Sequence, residues 1–219
     1  MSKNATYKIH NISLTAENLI VHFYGRSSLP HFFGLHEQEE QAAFIINALL
    51  DFSIDEIIEL VRQDFKIFHI QKKDVPQFSD LMAVFKIPFI LKNCGINGVG
   101  YDQMGYMLRT EKRNIVADRK YGENHMKTAE QMGLCELHHF MGYPNAIGNV
   151  FASLGADVQK ILIPHFCLSI PFIQNYFMTG ENDDYLEMMM NVLSDSTKTR
   201  RRPNVNTLIS IIKESSYGV

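Results

Sequence analysis

Apolar positions recur three and four residues apart over much of the chain. Between His36 and Asp51, Ala42, Phe44, Ile45, Leu49 and Leu50 keep this spacing behind an acidic first turn, which predicts a helix. Ser53 stands at an N-cap position with Glu56 three residues on. Ile57, Ile58, Val61 and Phe65 then continue a second helix. Residues 4–24 alternate more loosely, as in Tyr7-Lys8-Ile9-His10-Asn11-Ile12, and predict one or two short strands. Ile67 to Ile70 fits a further strand, Pro76 opens a helix through Ala83, and Ile87 to Leu91 closes this half. From Asn93 to Gly100 the chain holds Gly95, Gly98 and Gly100. No Lys-Ser/Thr pair follows, so this stretch reads as a hinge and not as a phosphate cradle.

Beyond the hinge, Tyr101 to Arg109 predicts a short helix with Met104, Met107 and Leu108 inward. A longer helix runs from Arg113 to Met132, interrupted near Gly122 and ended by Gly133. Leu134 to Leu137 and Ala146 to Phe151 flank Gly142-Tyr143-Pro144-Asn145, which predicts a hairpin with its tip at that turn. An apolar helix follows from Leu154 to near Gly180. Its Ile161, Ile163, Phe166, Leu168, Ile170, Phe172, Ile173 and Phe177 exceed one buried stripe, so residues 155–178 read as central core or as a homodimer interface. Tyr185 to Leu193 makes another helix and Ser194 to Thr199 a turn. Pro203 stands near the start of a last helix built on Val205, Leu208, Ile209, Ile211 and Ile212.

Composition narrows the class. Apolar residues at 46% and charged residues at 21% suit a globular chain and exclude collagen-like, mucin-like and disordered ones. Three cysteines, Cys94, Cys135 and Cys167, form no disulfide framework, which implies reduced thiols and a cytoplasmic location. No long run is free of polar residues, so no membrane span is expected. The net charge of −3 hides two basic clusters. Arg109 to Lys127 holds six basic residues against three acids, and Lys198 to Glu214 holds five against one. Local fields of this kind, not the net charge, govern contact with polyanions.

The candidate chemistry follows the clusters. On the helix ending at Gly133, Lys120, Asn124, Lys127, Thr128 and Gln131 lie opposite Met126 and Ala129. Lys suits phosphate or guanine, Asn and Gln suit adenine, and Thr can meet the thymine methyl. His138 and His139 would approach the DNA backbone from the hairpin, and Arg200, Arg201 and Arg202 would clamp phosphates. Other centres are sparser. Asp51, Asp64 and Lys66 are the nearest approach to a Mg²⁺ nuclease centre, but they lack strand placement. Cys135, His138, His139 and His125 lack a second ligand pair at finger-like spacing. His165 and Cys167 lie too close in sequence, within an apolar run, to suggest a nucleophile and its base. No cofactor, metal or catalytic residue is therefore expected.

The order helix, helix, helix, hairpin, helix resembles the winged helix-turn-helix modules of bacterial DNA-binding proteins over about residues 100–216. Ser196-Thr197, Arg201-Arg202, Thr207 and Ser210-Ile211 are similar to a helix-turn-helix tail of some restriction-modification proteins, although Ile211 stands where those tails usually carry Trp. The resemblance implies an α+β, mostly α chain. A mixed domain would occupy 1–95, a winged helix-turn-helix-like domain 96–180, and a second helix-turn-helix-like unit 181–219. It also implies binding of double-stranded DNA, as a transcriptional regulator or as a non-catalytic component of a defence or mobile-element system. The alternative is a protein–protein adaptor built on the same units.

Overall fold

The computed structural model describes residues 6–9, 12–25, 35–109, 111 and 114–216, and helices dominate its α+β architecture. The start of the chain, as described, is an antiparallel hairpin, β1 (Thr6–Ile9) with β2 (Ile12–Thr15), in which Tyr7 faces Leu14. Three helices follow: α1 (Ala16–Gly25), α2 (Leu35–Asp51) and α3 (Ile54–Arg62). The Ser53 cap forms reciprocally. Glu56 N donates to Ser53 Oγ (3.3 Å), and Ser53 N donates to Glu56 Oε2 (3.0 Å).

Residues 63–80 contain neither helix nor strand. The strand expected at Ile67–Ile70 does not form, because the side chain of Asn175 takes both backbone groups of Phe68, at 2.9 and 2.8 Å. The helix expected from Pro76 starts instead at Leu81. Asp80 caps it by accepting from Met82 N (2.9 Å). This helix, α4 (Leu81–Cys94), absorbs Ile87–Leu91 and runs through Pro88.

The glycine-rich stretch supplies a 3₁₀ turn (Gly95–Asn97) and β3 (Val99–Gly100). β3 is the edge of a three-stranded antiparallel sheet ordered β3–β5–β4, with β4 at Glu136–His138 and β5 at Met141–Tyr143. Between β3 and β4 lie α5 (Tyr101–Leu108) and α6 (Ile115–Gln131). α6 is continuous at Gly122. That glycine serves close approach: a Cβ there would meet the Tyr101 carbonyl oxygen at 1.9 Å, and one at Gly105 would meet that of Asp118 at 1.8 Å. The two helices therefore touch through backbone.

The hairpin differs from expectation. Its turn lies at His139–Phe140, because Gly142 and Tyr143 pair with Leu137 and Glu136 inside the sheet. Asn145 is a helix cap, accepting from Gly148 N at 2.8 Å, and the segment expected as a second strand is α7 (Ala146–Ser153). The apolar run that follows splits into α8 (Ala156–Leu168) and α9 (Pro171–Met178), which meet at 78°. Pro164 to Met178 are buried within the chain, whereas Ile161 is exposed. No helix among the described residues is long and apolar enough to cross a membrane. α10 (Asp183–Met190) and α11 (Asp195–Ser216) complete the fold. Pro203 sits inside α11 and not at its start. One connected set of buried side chains extends from Tyr7 to Ile212.

Candidate nucleic-acid interface

Lys120, Asn124, Lys127 and Gln131 follow one another along a single face of α6, a stripe of about 16 Å. Lys120 and Lys127 are exposed and share one carboxylate, Glu123, at 3.0 and 2.6 Å. Exposed Glu130 stands three residues beyond Lys127, so this part of α6 carries two lysines and two acids. Partial burial opposes the charge on Glu123, but hydrogen bonds from Lys127 and Lys120 outweigh it and hold its pKa below the ordinary range. Asn124 is half-buried. Arg109, from the same basic cluster, is turned inward. It pairs with Asp118 at 3.1 Å and covers the Tyr121 ring at 4.2 Å.

The C-terminal turns of α6 do structural work. Thr128 is 1% exposed, and its hydroxyl lies within donating distance of the carbonyls of Asn124 (3.1 Å) and Gln77 (3.2 Å), so it does not join the outward face. Gln131 Nε2 donates to the Lys73 carbonyl at 3.1 Å. His125 is buried beside them. Its Nδ1 donates to the Tyr121 carbonyl (2.8 Å) and its Nε2 accepts from the amides of Ser79 and Asp80 (3.4 Å each). Such a ring is neutral, and burial lowers its pKa.

The same connecting segment is also held by α11. Arg201 Nη1 donates to the carbonyls of Lys72 (2.9 Å) and Val75 (2.7 Å). Asp74 Oδ2 accepts from Gln71 N at 2.8 Å and closes the turn. Two segments far apart in sequence thus grip one turn, and that turn presents Lys72 and Lys73 to solvent. Of the three arginines, Arg201 is spent on this grip and Arg202 pairs with Glu187 of α10. Arg200 is exposed and makes no ion pair among the described residues. Lys72 and Lys73 escaped the sequence reading. Their signal, two cations in the short polar run Gln71-Lys72-Lys73-Asp74, acquires meaning only beside α6 and α11.

The two hairpin histidines part company. His138, exposed on β4, has Nε2 3.4 Å from Glu136 Oε2, with its ring near Tyr143. His139 occupies the turn with a φ of 49°. Elsewhere, burial pushes the thiols of Cys135 and Cys167 up, away from nucleophilic thiolate. No group of three His, Cys, Asp or Glu side chains converges in the way a metal ion requires among the described residues.

No protein-family model matches the chain, nor does any curated protein or solved structure. Fold and site therefore define only a helix-rich α+β protein with exposed cations on α6, the 71–75 turn and α11.

Proposed function

We propose that the chain binds double-stranded DNA through the face where α6, the turn at residues 71–75 and the start of α11 meet. The observation that carries this reading is the double grip on that turn. Gln131 and Arg201 both hold it, so the exposed Lys72 and Lys73 stand next to the parts of α6 and α11 that carry Lys127 and Arg200. The order α4, α5, α6 and then the β4–β5 hairpin supports it, since a winged helix-turn-helix runs three helices into a hairpin and reads DNA with the third. With Thr128 buried and Gln131 committed to a backbone carbonyl, Asn124 is the stripe's remaining uncharged candidate for base contact. Phosphate contacts then dominate affinity, and base selection is modest. Such a protein would serve as a transcriptional regulator or as a DNA-anchoring component of a restriction-modification or mobile-element system.

The test is fluorescence anisotropy with a random-sequence duplex at several salt concentrations. Each neutralised phosphate contributes about 0.9 to the log–log slope. Replacing Lys72, Lys73, Lys127 and Arg200 together by Ala should flatten the slope by up to about 3.6. An unchanged slope in that variant, or no wild-type binding at 50 mM salt, overturns the reading.

A further inference from the structure

His139 and Phe140 form the turn between β4 and β5, with φ values of 49° and 68°. Asn-Gly meets consecutive positive φ angles with least strain. This chain instead places a phenylalanine there, with its ring turned to solvent. The ring has apolar company. Tyr106 and Met107 of α5, Ile115 and Val116 of α6, and Phe140 are each between 51% and 75% exposed. Two clefts connect them. One of about 770 Å³ is lined by Tyr106, Met107 and Ile115, and one of about 340 Å³ by Ile115, Val116 and Phe140. Ile115 and Asp102 line both, so the patch is continuous. Its five side chains present roughly 600 Å² of apolar surface, the upper end of what a monomer ordinarily leaves bare.

We propose that this patch is a two-fold interface with a second copy of the chain. Charge and shape select that occupant. Arg119 and Asp102 both line the smaller cleft, and neither makes an ion pair among the described residues. In a two-fold interface, residue i of one copy meets residue j of the other, and the reverse. A surface holding one such cation and one such acid therefore satisfies itself, each Arg119 meeting the other copy's Asp102. The same surface carries a projecting ring, Phe140, and a larger cleft with room for one, so two copies can exchange knob and hole. With its polar rim, the patch approaches the roughly 800 Å² per partner of a standard interface. A polyanion suits it less. Asp102 stands in both clefts, and Glu123 and Glu130 bear on Tyr101 beside the ring. The proposal does not depend on DNA binding.

Sedimentation equilibrium of the full chain tests it. Wild type should be dimeric at about 100 μM, since interfaces of standard size reach a micromolar Kd at their weakest. Arg119→Asp and Asp102→Arg each set like charges together at two symmetric contacts, and each should raise the Kd at least about tenfold. Combining them restores both pairs with signs exchanged, and the Kd should return to within about threefold of wild type. The double variant His139→Asn/Phe140→Gly installs the preferred turn and so keeps the fold, and it should be monomeric at the same concentration. A monomeric wild type overturns the proposal. Binding of duplex DNA by that monomer, lost in the turn variant, would assign the patch to DNA instead. A dimer that every variant retains also overturns it. So does one that the single reversals weaken and their combination fails to recover.

Discussion

His165 lies in α8 at 3% exposure, its Nδ1 without a hydrogen-bond partner among the described residues, and burial lowers its pKa to about 4. In the unfolded chain the same group titrates near 6.5. The stability associated with the neutral ring is thus complete above about pH 6.5. It falls by about 1.4 kcal/mol per unit as pH drops toward 4, because only the unfolded state takes up the proton. The full loss for this residue is roughly 3 kcal/mol. His125 adds to it in the same direction, since its protonation would turn Nε2 from an acceptor into a donor facing two amides. His165→Leu should therefore show a flatter fall in urea midpoint between pH 7 and pH 4.5, and at pH 4.5 it should match or exceed the wild type. A pH dependence identical to wild type would exclude His165 as the titrating group. Residues differ in how legible they are. Ser53 and Glu56 lie within one turn of each other, so their contact is written in their spacing. Thr128 is polar and stands on a polar face, yet it is covered by the segment at Gln77, 51 residues away, and no local pattern reports its burial.

At the scale of elements, competing local signals decide what forms. Gly142-Tyr143-Pro144-Asn145 carries turn residues, but Asn is also a strong N-cap, and the α7 helix claims it. The hairpin then closes earlier, on His139–Phe140, a pair with no turn signature, so sequence alone places its tip too late. α11 shows the converse. Its arginines look alike in sequence, but the structure divides them by partner. Arg201→Ala removes two hydrogen bonds from a charged donor to backbone carbonyls of the 71–75 turn, at an expected cost of about 1–3 kcal/mol. Arg200→Ala touches no described partner and should stay within about 0.5 kcal/mol of wild type. Hydrogen exchange separates them further. Amides from Lys72 to Val75 should exchange faster in Arg201→Ala and at the wild-type rate in Arg200→Ala. Equal stability and equal exchange in the two variants would mean that the grip contributes nothing.

For the whole molecule, the dominance of helix was legible because apolar spacing persists over many turns. The organisation of the core was not, because it depends on which faces meet. Buried side chains form one connected set that draws on residues on both sides of positions 95 and 180. α2 packs on α7, and α11 packs on α8 and α3, so the N-terminal helices share their interior with the helices that follow the hinge. The turn at residues 71–75 adds polar links to α6 and α11 across the same divisions. Units with separate cores melt in separate steps, whereas a shared core is lost cooperatively. Calorimetry of the full chain should therefore show one transition, with calorimetric and van't Hoff enthalpies in agreement. A fragment of residues 96–180 would expose the surfaces that α2 covers on α7 and that α11 covers on α8, with Phe151, Leu162 and Phe166 part of the core thus opened. Its near-UV circular dichroism should lack fixed aromatic bands, even where far-UV spectra retain helix. Two resolved transitions, or a fragment 96–180 with native-like near-UV bands, would show that the hinge at Gly95–Gly100 separates autonomous domains. The proposed DNA-binding face would then have to assemble from units able to move against each other.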